Sequence, residues 1–128
     1  MAPKILIADD EVHLVKILQL TLERAGYETI AAYDGGEALK KAREEHPGLV
    51  ILDLKLPALD GYRVCRMLKS DELTKSIPVI ILSARDLARA EIDEPIAADF
   101  FMEKPFNSTA LLDRISSLLG KTLKSDSP

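Results

Sequence analysis

Leu49-Val50-Ile51-Leu52-Asp53-Leu54-Lys55-Leu56-Pro57-Ala58-Leu59-Asp60-Gly61 decides how this chain folds. Its apolar run shows no alternation and stops on a carboxylate, and a proline-containing turn follows at once. Too short for a free-standing helix and apolar at every position, the run suits a strand covered on both faces. Asp53 then stands at the carboxyl edge of a parallel sheet, where open α/β folds place their sites. Three other apolar runs end in the same manner. Lys4-Ile5-Leu6-Ile7-Ala8 ends on Asp9-Asp10, Val79-Ile80-Ile81-Leu82 on Ser83, and Phe100-Phe101-Met102-Glu103 on Lys104. One rim thus collects three carboxylates, a hydroxyl and an ammonium.

Helical patterns fill the intervals. After Asp9-Asp10-Glu11, Leu14, Leu18, Leu22 and Ala25 mark an apolar face opposite Lys16, Glu23 and Arg24, and Gly26 ends the helix. Tyr27 to Tyr33 reads as a more polar edge strand. Asp34 is placed to cap a second helix with Ala38, Leu39 and Ala42 inward, which stops before Pro47. A third helix begins at Asp60-Gly61, turns Val64, Cys65 and Leu68 inward, and loosens at Ser70-Asp71-Glu72. Pro78 sits at the mouth of the fourth strand, where its missing N–H costs least. From Ala84 to Ala97 apolar residues are sparse, acids crowd and Pro95 intervenes, so a short or mobile fourth helix is expected. Asn107 or Ser108 caps a last helix striped by Leu111, Leu112, Ile115, Leu118 and Leu119, which Gly120 is expected to close. Five alternations of strand and helix predict a parallel sheet with right-handed crossovers in order 2-1-3-4-5. That order makes Asp9-Asp10 and Asp53 neighbours at the switch point between strands 1 and 3.

With 128 residues, 47% of them hydrophobic and 30% charged, the chain is one globular domain by size and composition. A net charge of -4 gives no electrostatic case for direct nucleic-acid binding. The single Cys65 has no internal disulfide partner and reads as a small apolar filler. No apolar run approaches a membrane span, and the start at Met1-Ala2-Pro3-Lys4 leaves no room for a signal peptide before the first strand, so a cytoplasmic location is expected.

The rim has a chemical logic. Carboxylates about 5 Å apart repel by about 3 kcal/mol per pair at an effective dielectric near 20. A cation is needed to relieve three of them, and oxygen ligands with an incomplete protein shell suit Mg²⁺, with Mn²⁺ as an alternative occupant. Lys104 adds a mobile positive charge, and Ser83 a hydroxyl that can donate to an anion. Together they describe a pocket for a phosphoryl group with Asp53 as covalent acceptor. Each residue alone has an ordinary reading: Asp9 and Asp10 as helix caps, Asp53 and Ser83 as turn residues, Lys104 as a solvated charge. Their coincidence at four strand ends is what argues for a site.

These motifs resemble the receiver domain of two-component response regulators over residues 4–119. The likeness rests on Asp9-Asp10, on Asp53 in Asp-Leu-Lys-Leu-Pro-Ala-Leu-Asp-Gly, on Ser83-Ala84, and on Lys104-Pro105-Phe106. It implies a doubly wound, flavodoxin-like and CheY-like α/β fold over residues 1–120, with 121–128 a tail or truncated linker. It implies a phosphorylation-dependent signalling switch rather than a conventional enzyme. Asp53 would accept a phosphoryl group from the phosphohistidine of a sensor histidine kinase or a histidine phosphotransfer protein. Asp10, Asp53 and the Lys55 backbone carbonyl would bind Mg²⁺, with Asp9 acting through a water. Ser83 and Lys104 would hold the phosphoryl oxygens. Ser83 moving toward them would open space for Phe101, which stands where tyrosine is more familiar. The face made by the fourth helix, fifth strand and last helix would then engage a downstream protein or output domain. The resemblance also implies a cis Lys104-Pro105 bond.

Departures from the family pattern include Ala97 where a glycine is usual, and Pro95 with added acid in the preceding segment. They fall on the signalling face, so the output partner transfers least. Lys55 and Arg85 flank the acceptor and can tune the acyl phosphate. Two other functions compete. A degenerate receiver would act as a constitutive protein-binding module, against which the intact acids and lysine argue. A hydrolase of the haloacid-dehalogenase type would want a second Asp two residues after the nucleophile, where Lys55 stands.

Overall fold

The chain was analysed as a computed structural model that describes residues 3–56, 60–84, 98–104 and 107–124. Strand β1 (Lys4–Ala8) leads to helix α1 (Val12–Arg24), β2 (Glu28–Ala32), α2 (Gly35–Glu45), β3 (Leu49–Asp53), α3 (Gly61–Ser70), β4 (Val79–Ala84), β5 (Phe100–Lys104) and α4 (Ser108–Lys124). All described pairings are parallel, in the order β2-β1-β3-β4-β5. This is the doubly wound order expected from the sequence.

The unbroken apolar runs follow from a sheet buried on both sides. Leu6, Val50, Leu52, Val79 and Ile81 pack on one face with Ala38 and Ala42 of α2 and Val64, Cys65 and Leu68 of α3. Ile5, Ile7, Leu49, Ile51, Ile80 and Leu82 pack on the other with Val15, Leu18 and Leu22 of α1 and Leu111, Ile115 and Leu119 of α4. Every residue of β3 is buried, whereas β2 at the edge starts exposed. Truncating Ile51 or Leu52 to Ala would cost about 2–5 kcal/mol. Asp53 is therefore carried on a strand buried along its whole length.

Side-chain caps fix three helix starts. Asp34 accepts from the Glu37 amide at 2.7 Å, Asp60 from the Arg63 amide at 2.9 Å, and Asn107 from the Thr109 and Ala110 amides at 2.8 and 3.2 Å. Helix α1 differs: Glu11 occupies its cap position without capping. Gly26 takes a left-handed φ of 99° after α1, as its place past the helix end requires. Helix α2 ends at Glu45, with His46 as its C-cap directly before Pro47.

Three expectations need correction. On α1, Val15 is buried and Leu14 only half-buried, while Ala25 lies exposed past the last helical residue. Helix α4 does not close at Gly120 but continues to Lys124, with open space around the Gly120 α-carbon. Strand β4 continues through Ala84, one residue past the Ser83 on which its apolar run ends. The expected fourth helix, Arg85, Pro95, Ala97, the turn at Pro57 and the Lys104-Pro105 bond lie outside the described residues.

Candidate functional site

Strands β1 and β3 pair in register up to Ala8 and Leu52, so the residues that follow them emerge side by side at the carboxyl edge. Asp9 is 1% exposed and Asp53 5%, while Asp10 is exposed. Carboxylate oxygens of Asp9, Asp10 and Asp53 all lie within 4.8 Å of one another. Asp9 is held by two backbone contacts. Its amide donates to the Ala32 carbonyl at 3.1 Å, and its Oδ1 accepts from the Glu11 amide at 2.9 Å. Asp53 Oδ1 accepts from the Lys55 amide at 3.4 Å, while the Lys55 side chain is exposed.

Lys104 arrives from β5, leaning across the end of β4. Its Nζ lies 3.2 Å from Asp9 Oδ2, 3.5 Å from Asp53 Oδ2 and 3.7 Å from Glu11 Oε1. Ser83 lies near the carboxyl end of β4 and is 1% exposed, and its Oγ has no hydrogen-bond partner among the described residues. A buried hydroxyl left without a partner costs about 1–3 kcal/mol. The pairings Ile81 to Phe101 and Ser83 to Glu103 place Phe101 and Ser83 on the same face of the sheet. There Phe101 is half-buried against the core that α2 and α3 cover.

Electrostatics follow from this packing. Burial, reinforced by the Asp9 charge, pushes the Asp53 carboxyl from its ordinary 3.8 up to about 6, despite the lowering influence of Lys104. Burial alone would lower the Lys104 ammonium, but the Asp53 and Asp9 charges outweigh it and hold it above its ordinary value. The donor set is hard, anionic and open to solvent through Asp10, which fits a small divalent cation that retains waters. The same rim offers an ionisable carboxylate as nucleophile, and an ammonium and a hydroxyl for an anion's oxygens.

The sheet therefore brings Asp9, Asp10, Asp53 and Lys104 together as read from the sequence, and sets Ser83 on the neighbouring strand end. Two features were not read there. Glu11 joins the Lys104 ion pairs, and the sign of it in the sequence is a glutamate at a helix start where a capping side chain is usual. Helix α1 also leaves Val12, Ile17 and Leu20 about half exposed, at 48%, 59% and 57%.

A doubly wound parallel sheet in this order, with an acid cluster at its switch point and a lysine reaching it from the last strand, defines an α/β module of the flavodoxin-like fold. Comparison with known proteins specifies the class. The model of the response regulator receiver domain matches residues 5–116, and the chain belongs to that family. It is 42% identical over 126 residues to the alkaline phosphatase synthesis transcriptional regulatory protein PhoP of Bacillus subtilis, covering 95% of this chain and 50% of that one. It is 43% identical over 120 residues to the probable transcriptional regulator ycf27 of Cyanophora paradoxa, covering 93% and 49%. The chain thus spans about half the length of these relatives. Among solved structures, it resembles the receiver domain of a Francisella response regulator (TM-score 0.85, 31% identity, 94% and 98% of the two chains). It also resembles a receiver domain from Clostridium thermocellum (TM-score 0.84, 30% identity, 95% and 97%). Receiver domains are signalling modules rather than conventional enzymes. Among the described residues no helix is long and apolar enough to cross a membrane.

Proposed function

We propose that this domain is a phosphorylation-dependent switch that accepts a phosphoryl group on Asp53 from a phosphohistidine. The observation that carries this reading is the contact of the Lys104 ammonium with both Asp53 and Asp9 beside the unpartnered Ser83 hydroxyl. In the transfer, a carboxylate oxygen of Asp53 attacks phosphorus. The P–O bond forms as the P–N bond breaks, and the imidazole keeps the electron pair and takes a proton from solvent. With its pKa near 6, Asp53 is mostly ionised at neutral pH and ready to attack.

Asp10, Asp53 and the Lys55 carbonyl would hold Mg²⁺, or Mn²⁺ in its place, with Asp9 reaching it through water. When bound, that ion would supply positive charge to offset the acid cluster and the transferring phosphoryl group. Lys104 and Ser83 hold the phosphoryl oxygens. As Ser83 turns to them, Phe101 on the same sheet face follows into the space behind. The surface around β5 and α4 then presents a changed face to a downstream protein or output domain. A regulatory output accords with relatives that are transcriptional regulators about twice as long. We assign residues 1–120 to the receiver and 121–128 to a tail or linker, although α4 runs past that boundary to Lys124.

The phosphoryl donor, a sensor histidine kinase or phosphotransfer protein, docks where α1 starts beside the acids. Val12, Lys16, Leu20 and Arg24 follow one another at four-residue steps, with His13 and Ile17 alongside, giving a half-apolar, basic face. The test is incubation with phosphoramidate and Mg²⁺ followed by intact-mass measurement. A slowly decaying phosphoryl adduct that disappears in Asp53→Asn supports the switch. Absence of any adduct would overturn it in favour of a constitutive binding module, and rapid turnover of many phosphate esters in favour of a hydrolase.

A further inference from the structure

Helix α1 begins in a way that the other capped helices do not. Asp34, Asp60 and Asn107 each accept from amides of the turn they start, as a capping side chain should. Glu11 stands at the equivalent position of α1 with extended backbone (φ -83°, ψ 99°), yet its side chain accepts from no amide of that turn. Its carboxylate goes instead to the Lys104 ammonium, 3.7 Å away, while its amide donates to Asp9 Oδ1 at 2.9 Å. Glu11 is excluded from the acid cluster that fits a cation, which comprises Asp9, Asp10 and Asp53 alone among the described residues.

From this we infer that Glu11 is a positioning residue for Lys104. The inference rests on the phosphoryl-acceptor reading of the site. Of the three carboxylates against Lys104, Asp9 and Asp53 are also the ones a cation would neutralise, and Asp53 is the one that phosphorylation modifies. Cation binding would weaken the hold of both on the ammonium before the phosphoryl oxygens arrive to replace it. Glu11 lies outside the cluster that a cation would occupy and is not the group phosphorylated, and, 65% exposed in its side chain, it is free to follow the lysine. It thus retains Lys104 at the rim when the other two partners release it, so the ammonium meets the incoming phosphoryl oxygens instead of swinging to solvent. Thermodynamically, α1 forgoes a cap so that the lysine is held.

The test compares Glu11→Gln, Glu11→Asn, Lys104→Met and the double variant Glu11→Gln/Lys104→Met. Phosphorylation by phosphoramidate is followed by intact mass at saturating Mg²⁺, with Mg²⁺ affinity measured separately by calorimetry. Glu11→Gln should slow phosphorylation about 3-fold, the scale of an exposed ion pair, and should have no further effect once Lys104 is Met. Glu11→Asn introduces a capping side chain, so it should raise the melting temperature by about 3 °C and yet slow phosphorylation to the same extent. A purely structural Glu11 could not give those opposite signs. Equal slowing by Glu11→Gln with and without Lys104, or unchanged rates at saturating Mg²⁺, would overturn the inference. If the unsubstituted protein forms no adduct, it is the phosphoryl-acceptor reading that fails, and the inference falls with it.

Discussion

Replacing the acceptor, Asp53→Asn, should stabilise the cation-free protein, by an amount that depends on pH. Burial and the neighbouring Asp9 charge move the Asp53 carboxyl from 3.8 to about 6, so the fold prefers the protonated group. At about 1.4 kcal/mol per tenfold change in proton affinity, ionising Asp53 above pH 6 costs the folded state about 3 kcal/mol relative to the unfolded chain. Stability from this group is therefore greatest below pH 4, falls as pH rises from about 4 to 6, and is level beyond. A neutral amide removes the cost. Its gain should approach about 3 kcal/mol at pH 8 and shrink to about 1 kcal/mol at pH 4.5. The amide must find its own partners in a buried place, which removes part of that gain. For a domain of this size the expected rise in melting temperature at pH 8 is about 5–10 °C. Thermal unfolding followed by circular dichroism in EDTA, at pH 4.5 and pH 8, reads both values. A gain of equal size at the two pH values, or a loss at pH 8, would refute the claim that charge in a desolvated cluster sets the stability of this rim.

Three further outcomes are expected. Mg²⁺ at about 100 times its dissociation constant should raise the melting temperature of the unsubstituted domain by about 10 °C, and Asp10→Asn should remove at least half of that rise while barely changing the cation-free value, because Asp10 is exposed; calorimetric or thermal-shift titration checks it. Gly61→Ala should lower stability by about 2–3 kcal/mol in urea unfolding, since a methyl group there would run into the Asp53 carbonyl oxygen and come within 2.9 Å of the Leu54 α-carbon. Ile17→Arg and Leu20→Arg should leave the melting temperature within about 2 °C and phosphoramidate labelling unchanged, yet slow transfer from a phosphorylated histidine donor about tenfold; equal slowing with both donors would remove α1 as the docking face.

The strands were legible because both sheet faces are covered, which leaves each core strand apolar at every position and makes the terminating Asp9, Asp53, Ser83 and Lys104 conspicuous. Strand order followed from the commonest arrangement of a five-stranded doubly wound sheet, and that order is what joins Asp9 to Asp53. The phase of α1 was less legible. Leu14, Leu18 and Leu22 recur every four residues, and such a row drifts about 40° per step around a helix of 3.6 residues per turn. The buried direction runs between Leu18 and Val15, so Leu14 falls at its margin, and Ala25 comes after the helix has ended. Nor could Glu11 be assigned from sequence. An acid at a helix start is ordinarily read as a favourable charge at the dipole's positive end, and only the tertiary approach of Lys104 from β5 gives its carboxylate another partner.

The remaining features of the rim share one cause. Asp53 is held as a buried anion against its preference, Lys104 is divided among three carboxylates, and the Ser83 hydroxyl faces no acceptor among the described residues. The buried anion and the unpartnered hydroxyl are each unfavourable by themselves, and under the proposed function each would be relieved by a different ligand. A divalent cation would relieve the crowding of Asp9, Asp10 and Asp53 and loosen their grip on Lys104. A phosphoryl group would bring oxygens for the ammonium and for the hydroxyl. The order is fixed by charge, because phosphorylation replaces one negative charge with about two in a cluster that is already anionic. Without the cation that step works against every neighbour except Lys104; with it, the added charge meets a neutralised floor. Metal binding should thus precede transfer, and the motion of Ser83 and Phe101 should follow it, since only the bound phosphoryl gives that hydroxyl a reason to turn.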